Sequence, residues 1–410
     1  MVKENYDVMP AKLVVKAMRD SGYKNAAYAI AELADNAIQA GANIVEILCE
    51  EHEEKVKQRT RRRVKRIAVV DNGCGMNADV LRAALQFGNG TRLDDRSGIG
   101  RFGMGLPNSS LSQARRVDVY SWENGIETAL HTYLDVDEIA SGHLPQVPEP
   151  TPADIPAQWI RMSDGASASK SGTVVIWSRL DRCDWKTAHA IFRNSELTTG
   201  RIYRKKLVDG GVRIRMAAFL EDEADVHFTQ DAKPNDPMYL MSGTSCPEPW
   251  ASRPMFEPYG SETKFAWRDS DGNDHDVFVR YSIAKREARF ADNAGRLPHG
   301  DHAKGNIGVS IIRAERELEL QVEWCIGYDP RERWWGVEID FPPALDEVFG
   351  VTNNKQSATT LSDIAKIGLD QVAQREGFSS EQELRDAWEE DGDPRIVLVR
   401  IKNDVESNLR

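Results

Sequence analysis

"VVDNGCGMN", residues 69–77, is the stretch on which the fold turns. Val69 and Val70 close the apolar run of "RIAVVDNG" (66–73), which has the composition of a buried strand ending in a turn. Asp71 stands at the strand end, and Gly73 and Gly75 let the backbone pass close to a flat ring. A carboxylate so placed accepts a hydrogen bond from an exocyclic amine. Asp-Asn-Gly is equally a common turn sequence, so the stretch takes its meaning from its neighbours.

Upstream, "NAAYAIAELADNAIQA" (25–40) reads as an alanine-rich helix stopped by Gly41. Glu32 and Asn36 are four residues apart and share one helical face, with Asp35 beside them. A carboxylate and an amide in that relation suit a water molecule and a divalent cation, although acidic residues on a helix are more often simply solvated. "NIVEILCE" (43–50) alternates like a strand. Downstream, "NADVLRAALQFG" (77–88) reads as a helix capped by Asn77. In "SGIGRFGMGLPNSS" (97–110), Gly98, Gly100, Gly103 and Gly105 fall within eight positions and lead into a helix. Free backbone N–H groups there make a phosphate cradle. No strand precedes this segment and no Gly-Lys-Ser/Thr closes it, which excludes a dinucleotide fold and a Walker A loop. "RVDVYSWENGIETALHTYLD" (116–135) predicts a hairpin turning at Asn124-Gly125, residues 141–170 a loop, and "SGTVVIWSRL" (171–180) a further strand. The layout is α+β, with helices on a mixed, largely antiparallel sheet.

The 410 residues allow two or three domains, and the net charge of −12 gives no bulk attraction to nucleic acid. The five cysteines form no Cys-x-x-Cys pair, the pattern of reduced thiols in a cytoplasmic protein. The charged N-terminal segment predicts no signal peptide, and no apolar run has the length of a membrane span. "KVKQRTRRRVKR" (55–66) is densely basic and should form the tip of a hairpin between the strands at 43–50 and 66–70. Such a tip suits nucleic-acid phosphates, or alternatively solvent or an acidic protein surface. "RIYRKK" (201–206) is a second, looser basic group. A second unit is expected from about residue 195, with β-rich stretches at 211–220, 264–283 and 306–327. In the tail, 358–410, "RIVLVRI" (395–401) lies between short helices.

The order and spacing of these three motifs resemble the GHKL ATPases: gyrase B, the ninety-kilodalton heat-shock chaperones, sensor histidine kinases and MutL. The resemblance implies an ATP-binding sandwich with a Mg²⁺ cofactor. Glu32 would be the general base, Asn36 the Mg²⁺ ligand, and Asp71 the reader of the adenine amine with Gly73, Gly75 and Met76 beside the ring. Gly100, Arg101, Phe102, Gly103, Met104 and Gly105 would wrap the phosphates as part of a lid over about 86–107. Thr173 matches the threonine that supports the adenine contact through water. "VTNNKQS" (351–357) resembles the MORC pattern and would make Lys355 the γ-phosphate contact of a transducer domain. "IGVSIIRAERELEL" (307–320) resembles its strand pair. Gln39 stands where many relatives carry an acid, and Pro107 where a lysine often follows the lid glycines.

On this basis residues 1–194 would be the ATPase domain with a basic hairpin at 51–66, 195–360 the transducer, and 361–410 a short extension. The implied activity is ATP-driven lid closure and homodimerisation. The chain would then act as a clamp or switch on double-stranded DNA through Lys55–Arg66, within a multi-protein effector complex of a prokaryotic defence or restriction type. A chaperone-like remodeller and a regulatory nucleotide-binding scaffold are the alternatives.

Overall fold

The computed structural model describes residues 11–20, 23–87, 104–268, 273–352 and 357–409. The chain divides into two units, one of residues 1–199 with 206–232 and one of 200–205 with 233–410.

In the first unit α1 (Ala11–Asp20) and α2 (Ala26–Gln39) precede the long hairpin of β1 (Ile44–Val56) and β2 (Arg59–Asp71). Then come α3 (Ala78–Ala84), α4 (Gly105–Gln113), β3 (Ala114–Trp122), β4 (Leu130–Asp135), α5 (Val136–Ser141), β5 (Thr151–Pro152), α6 (Ala157–Met162) and β6 (Gly172–Leu180). After α7 (Ala188–Ile202) and α8 (Arg204–Leu207), of which residues 200–205 belong to the second unit, β7 (Arg213–Leu220) and β8 (Phe228–Asp231) complete an eight-stranded sheet. Its order is β5-β4-β3-β6-β2-β1-β7-β8, antiparallel except for the parallel pair β1–β7. Residues 67–71 are buried without alternation, because both faces of the sheet are covered. On one face Leu48, Val70, Trp122, Val174 and Phe219 pack with Trp159 and Met162 of α6. The opposite face meets α2, which contacts β1 and β2 and packs beside α4.

Two expectations differ here. The stretch 211–220 was assigned to the second unit, but β7 lies against β1, from Ile44 beside Arg213 to Glu51 beside Leu220. A buried charge pair holds that register. Glu46 receives Arg215 Nη1 at 2.7 Å, together with the backbone N–H groups of Asp164 and Ala166 and the Ser163 hydroxyl. Residues 141–170, expected as loop, contain β5 and α6. Asn77 caps α3 as expected, accepting the Val80 N–H at 3.1 Å.

The second unit contains β9 (Phe256–Pro258), β10 (Thr263–Arg268), β11 (Asp274–Ala284), α9 (Arg286–Arg289), α10 (Pro298–Lys304), β12 (Val309–Arg313), β13 (Arg316–Gln321) and β14 (Trp335–Phe341). Then follow α11 (Asp346–Phe349), α12 (Thr359–Ile367), α13 (Leu369–Glu376), α14 (Glu381–Glu390) and α15 (Arg395–Leu409). Its six-stranded sheet runs β10-β11-β14-β12-β13, with β9 beside β11. The tail helices share the sheet's core: Leu361, Leu384, Trp388 and Ile401 cluster with Val279, Ile311 and Ile339. "RIVLVRI" opens α15 rather than lying between helices.

Residues 201–205 of the second basic group also lie in this unit, and Arg204 is buried rather than offered to a surface. Its guanidinium donates to Glu317 at 2.8 Å, to Glu338 at 2.7 Å and to Ser310 Oγ at 2.7 Å. Arg201 pairs with Glu317, and Lys205 with Asp340. Burial alone would raise the Glu338 carboxyl, but Arg204 and Lys205 hold it down at about 2. Among the described residues no helix is long and apolar enough to cross a membrane.

Candidate functional site

Asn25 starts α2, its side-chain oxygen accepting from the N–H groups of Ala27 at 3.0 Å and Tyr28 at 3.3 Å. The Ala26 N–H is taken by Asp184 at 3.1 Å. Alanines at 26, 27, 29, 31, 34 and 37 are buried, so the helix backbone sits close to its neighbours. That closeness brings Glu32 and Asp35 into the interior, while Asn36, one turn beyond Glu32, is half-buried. Gly105, the first residue of α4, lies directly against Glu32, where a β-carbon would overlap Glu32 Oε1. Glycine at 105 is therefore what makes room for the carboxylate. Met104 precedes it, half-buried, and gives α4 no side-chain cap.

The turn after β2 is pinned on both sides. Asn72 Oδ1 accepts from the N–H groups of Asn43 at 3.0 Å and Ile44 at 2.9 Å, and the Cys74 N–H donates to the Ala40 carbonyl at 2.9 Å. Gly73 packs on the end of α2, and a β-carbon on it would sit 2.8 Å from Ala40 Cβ. Gly75 has φ +73 and passes so close over the Trp122 carbonyl that any side chain would collide with it. Both conformation and space require glycine there.

Asp71 is buried, and its Oδ1 accepts the Gly73 N–H at 2.8 Å. Among the described residues its Oδ2 has no hydrogen-bond partner. Burial pushes the carboxyl up to about 7, with the Gly73 N–H pulling the other way. Asp71 lies beside Thr173 across β2–β6, and Thr173 beside Ser121 across β6–β3. Val70, Val174 and Trp122 belong to the α6 face, so their neighbours Asp71, Thr173 and Ser121 form a polar row on the opposite face. The Met76 N–H reaches the same row, donating to Ser121 Oγ at 2.9 Å.

Ser121 did not figure among the sequence-predicted residues. It occupies the inward phase of β3 after Val117 and Val119, and a lone serine in an apolar phase was the available signal. The structure thus brings Asp71, Gly73, Gly75, Met76 and Thr173 together at one end of the sheet, and Glu32 against Gly105 on the helices beside it. Gly100, Arg101, Phe102, Gly103 and Lys355 lie outside the described residues.

The basic hairpin exists, but its charges are unevenly spent. Toward its base Arg66 pairs with Glu50, Lys65 with Glu221, and Arg63 with Glu54 at 3.3 Å. Lys55, Lys57, Arg59, Arg61 and Arg62 are exposed around the tip and have no carboxylate partner among the described residues.

No curated protein matches the sequence. Solved structures similar to it run to 210 chains. One, titled the crystal structure of the N-terminal domain of a DNA repair protein, is 14% identical with a TM-score of 0.50. It covers 88% of this chain and 98% of its own. At that identity the likeness is one of fold. Residues 23–173, which run from just before the Asn25 cap to Thr173 itself, match the family of histidine kinase-, DNA gyrase B- and HSP90-like ATPases.

Proposed function

We propose that the first unit binds and hydrolyses ATP, and that nucleotide binding drives lid closure and homodimerisation of a switch acting on DNA. The observation that carries ATP binding is the row Asp71–Thr173–Ser121 beside the Gly73–Gly75 turn, at the end of the span that matches the ATPase family. Asp71 offers a carboxylate oxygen to the adenine amine, and the glycines admit the ring. Glu32, held beside the first turn of α4, activates water for attack on the γ-phosphorus. Asn36 would hold Mg²⁺ through its amide oxygen, and the ion would supply neutralisation of phosphate charge. Lys355 reaches the γ-phosphate when the triphosphate is present.

DNA engagement is supported by the five unpaired cations of the hairpin tip, which suit a polyphosphate and carry no sequence information. The MORC-like branch, the effector complex and a defence setting rest on resemblance alone. The test is steady-state ATP hydrolysis by wild type and Glu32→Ala, with and without double-stranded DNA, at two salt concentrations. Turnover abolished by Glu32→Ala, and altered by DNA at low salt only, is the expected result. Glu32-dependent turnover indifferent to DNA overturns the DNA role and points to a protein client. Turnover that survives Glu32→Ala removes Glu32 as the base.

A further inference from the structure

Ser121 sits at a junction of three chain segments. It is fully buried and makes three hydrogen bonds through one oxygen. It accepts the Met76 N–H at 2.9 Å, donates to the Gly172 carbonyl at 3.1 Å, and lies 2.9 Å from Thr173 Oγ1. A serine hydroxyl has one proton and two lone pairs. The Gly172 carbonyl can only accept, and the Met76 N–H can only donate. The arrangement that satisfies all three contacts puts the Ser121 proton on Gly172 and the Thr173 proton on Ser121. Thr173 then has no proton left for a ligand and presents lone pairs only. Beside it, the Asp71 carboxylate above pH 7 is likewise an acceptor.

We infer that Ser121 is a specificity-positioning residue: it locks the Thr173 hydroxyl as an acceptor, so that the row Asp71–Thr173 takes a base bearing an exocyclic amine and rejects one bearing a carbonyl. Ser121 does not touch the base and acts through Thr173. The inference rests on nucleotide binding as proposed above. It adds a determinant that does not lie within the three sequence motifs and that joins the glycine turn to both neighbouring strands. In Ser121→Ala the Thr173 proton loses its acceptor and becomes free to donate to a carbonyl oxygen.

The test compares binding of ATP and inosine triphosphate, which differ at this edge by an amine against a carbonyl and by a bare ring nitrogen against a ring N–H, to wild type, Ser121→Ala and Ser121→Thr. Titrations are done at pH 8, with thermal melting of each variant as a check on folding. Wild type is expected to prefer ATP. In Ser121→Ala the preference should shrink roughly tenfold, chiefly because inosine triphosphate binds more tightly, and Ser121→Thr should restore it. A gain in affinity for the disfavoured base cannot come from loss of structure. An unchanged ratio, or an equal loss for both nucleotides, overturns the role of Ser121. Wild type that binds neither nucleotide overturns nucleotide binding itself, and the inference falls with it.

Discussion

Asp71 is the residue on which pH should act. Its carboxyl, free at 3.8, is carried to about 7 by burial. A group raised in the folded state stabilises the protein fully below its unfolded value, and that contribution is lost as pH rises through the folded value. The unliganded first unit should therefore lose stability between about pH 4 and 7, and Asp71→Asn should flatten that slope in denaturant titrations. Ligand binding runs the other way, because an amine donates to the ionised form. ATP affinity should rise about tenfold from pH 6 to pH 8, following the ionised fraction, and calorimetry at the two pH values should show the difference disappear in Asp71→Asn.

Among the elements, the β1–β2 hairpin and the buried cluster around Arg204 show what charge patterns in a sequence can and cannot say. Eight basic residues between 55 and 66 are visible in the sequence. Which of them are neutralised depends on the strand opposite, where Glu50 and Glu54 take Arg66 and Arg63. With five tip cations free, the log–log salt dependence of DNA affinity should be no steeper than about −4.5. Replacing Lys55, Lys57, Arg59, Arg61 and Arg62 by glutamine should remove binding in a salt-titrated gel-shift assay, whereas Lys65→Gln should alter it little. The group 201–206 has a similar composition and the opposite fate, because its acidic partners lie more than a hundred residues on, at Glu317, Glu338 and Asp340. Arg204→Ala leaves buried Asp236 without its arginine and takes one guanidinium from Glu317 and Glu338, which keep Arg201, Lys205 and Arg280, and should cost about 3–5 kcal/mol in denaturant unfolding. Glu338, lowered to about 2, contributes stability above its unfolded value of 4.5 and loses it as pH falls toward 2, a loss that should be smaller in the Arg204→Ala protein, where Lys205 and Arg280 remain.

At the scale of the molecule, legibility followed sequence distance. The α2 cap, the turn after β2 and the β3–β4 hairpin are local, and their signals are read from a few adjacent residues. Ser121 and Thr173 meet only through strand pairing, and β7 joins β1 across more than 150 residues, so no local periodicity reports either contact. A chain ending at residue 194 lacks the strand that covers β1. It should elute as aggregate in size-exclusion chromatography, whereas one ending at 232 keeps the eight-stranded sheet and should melt cooperatively.

The parallel pairing of β1 with β7 also has a consequence for biosynthesis. When β1 leaves the ribosome its partner β7 is still untranslated, and at about 5–20 residues per second the wait for residue 220 is on the order of ten to thirty seconds. Throughout that interval one edge of the nascent sheet is an open template for any extended chain nearby, including the same strand on the next ribosome of a polysome. The length of that exposure is thus set by where β7 falls in the message.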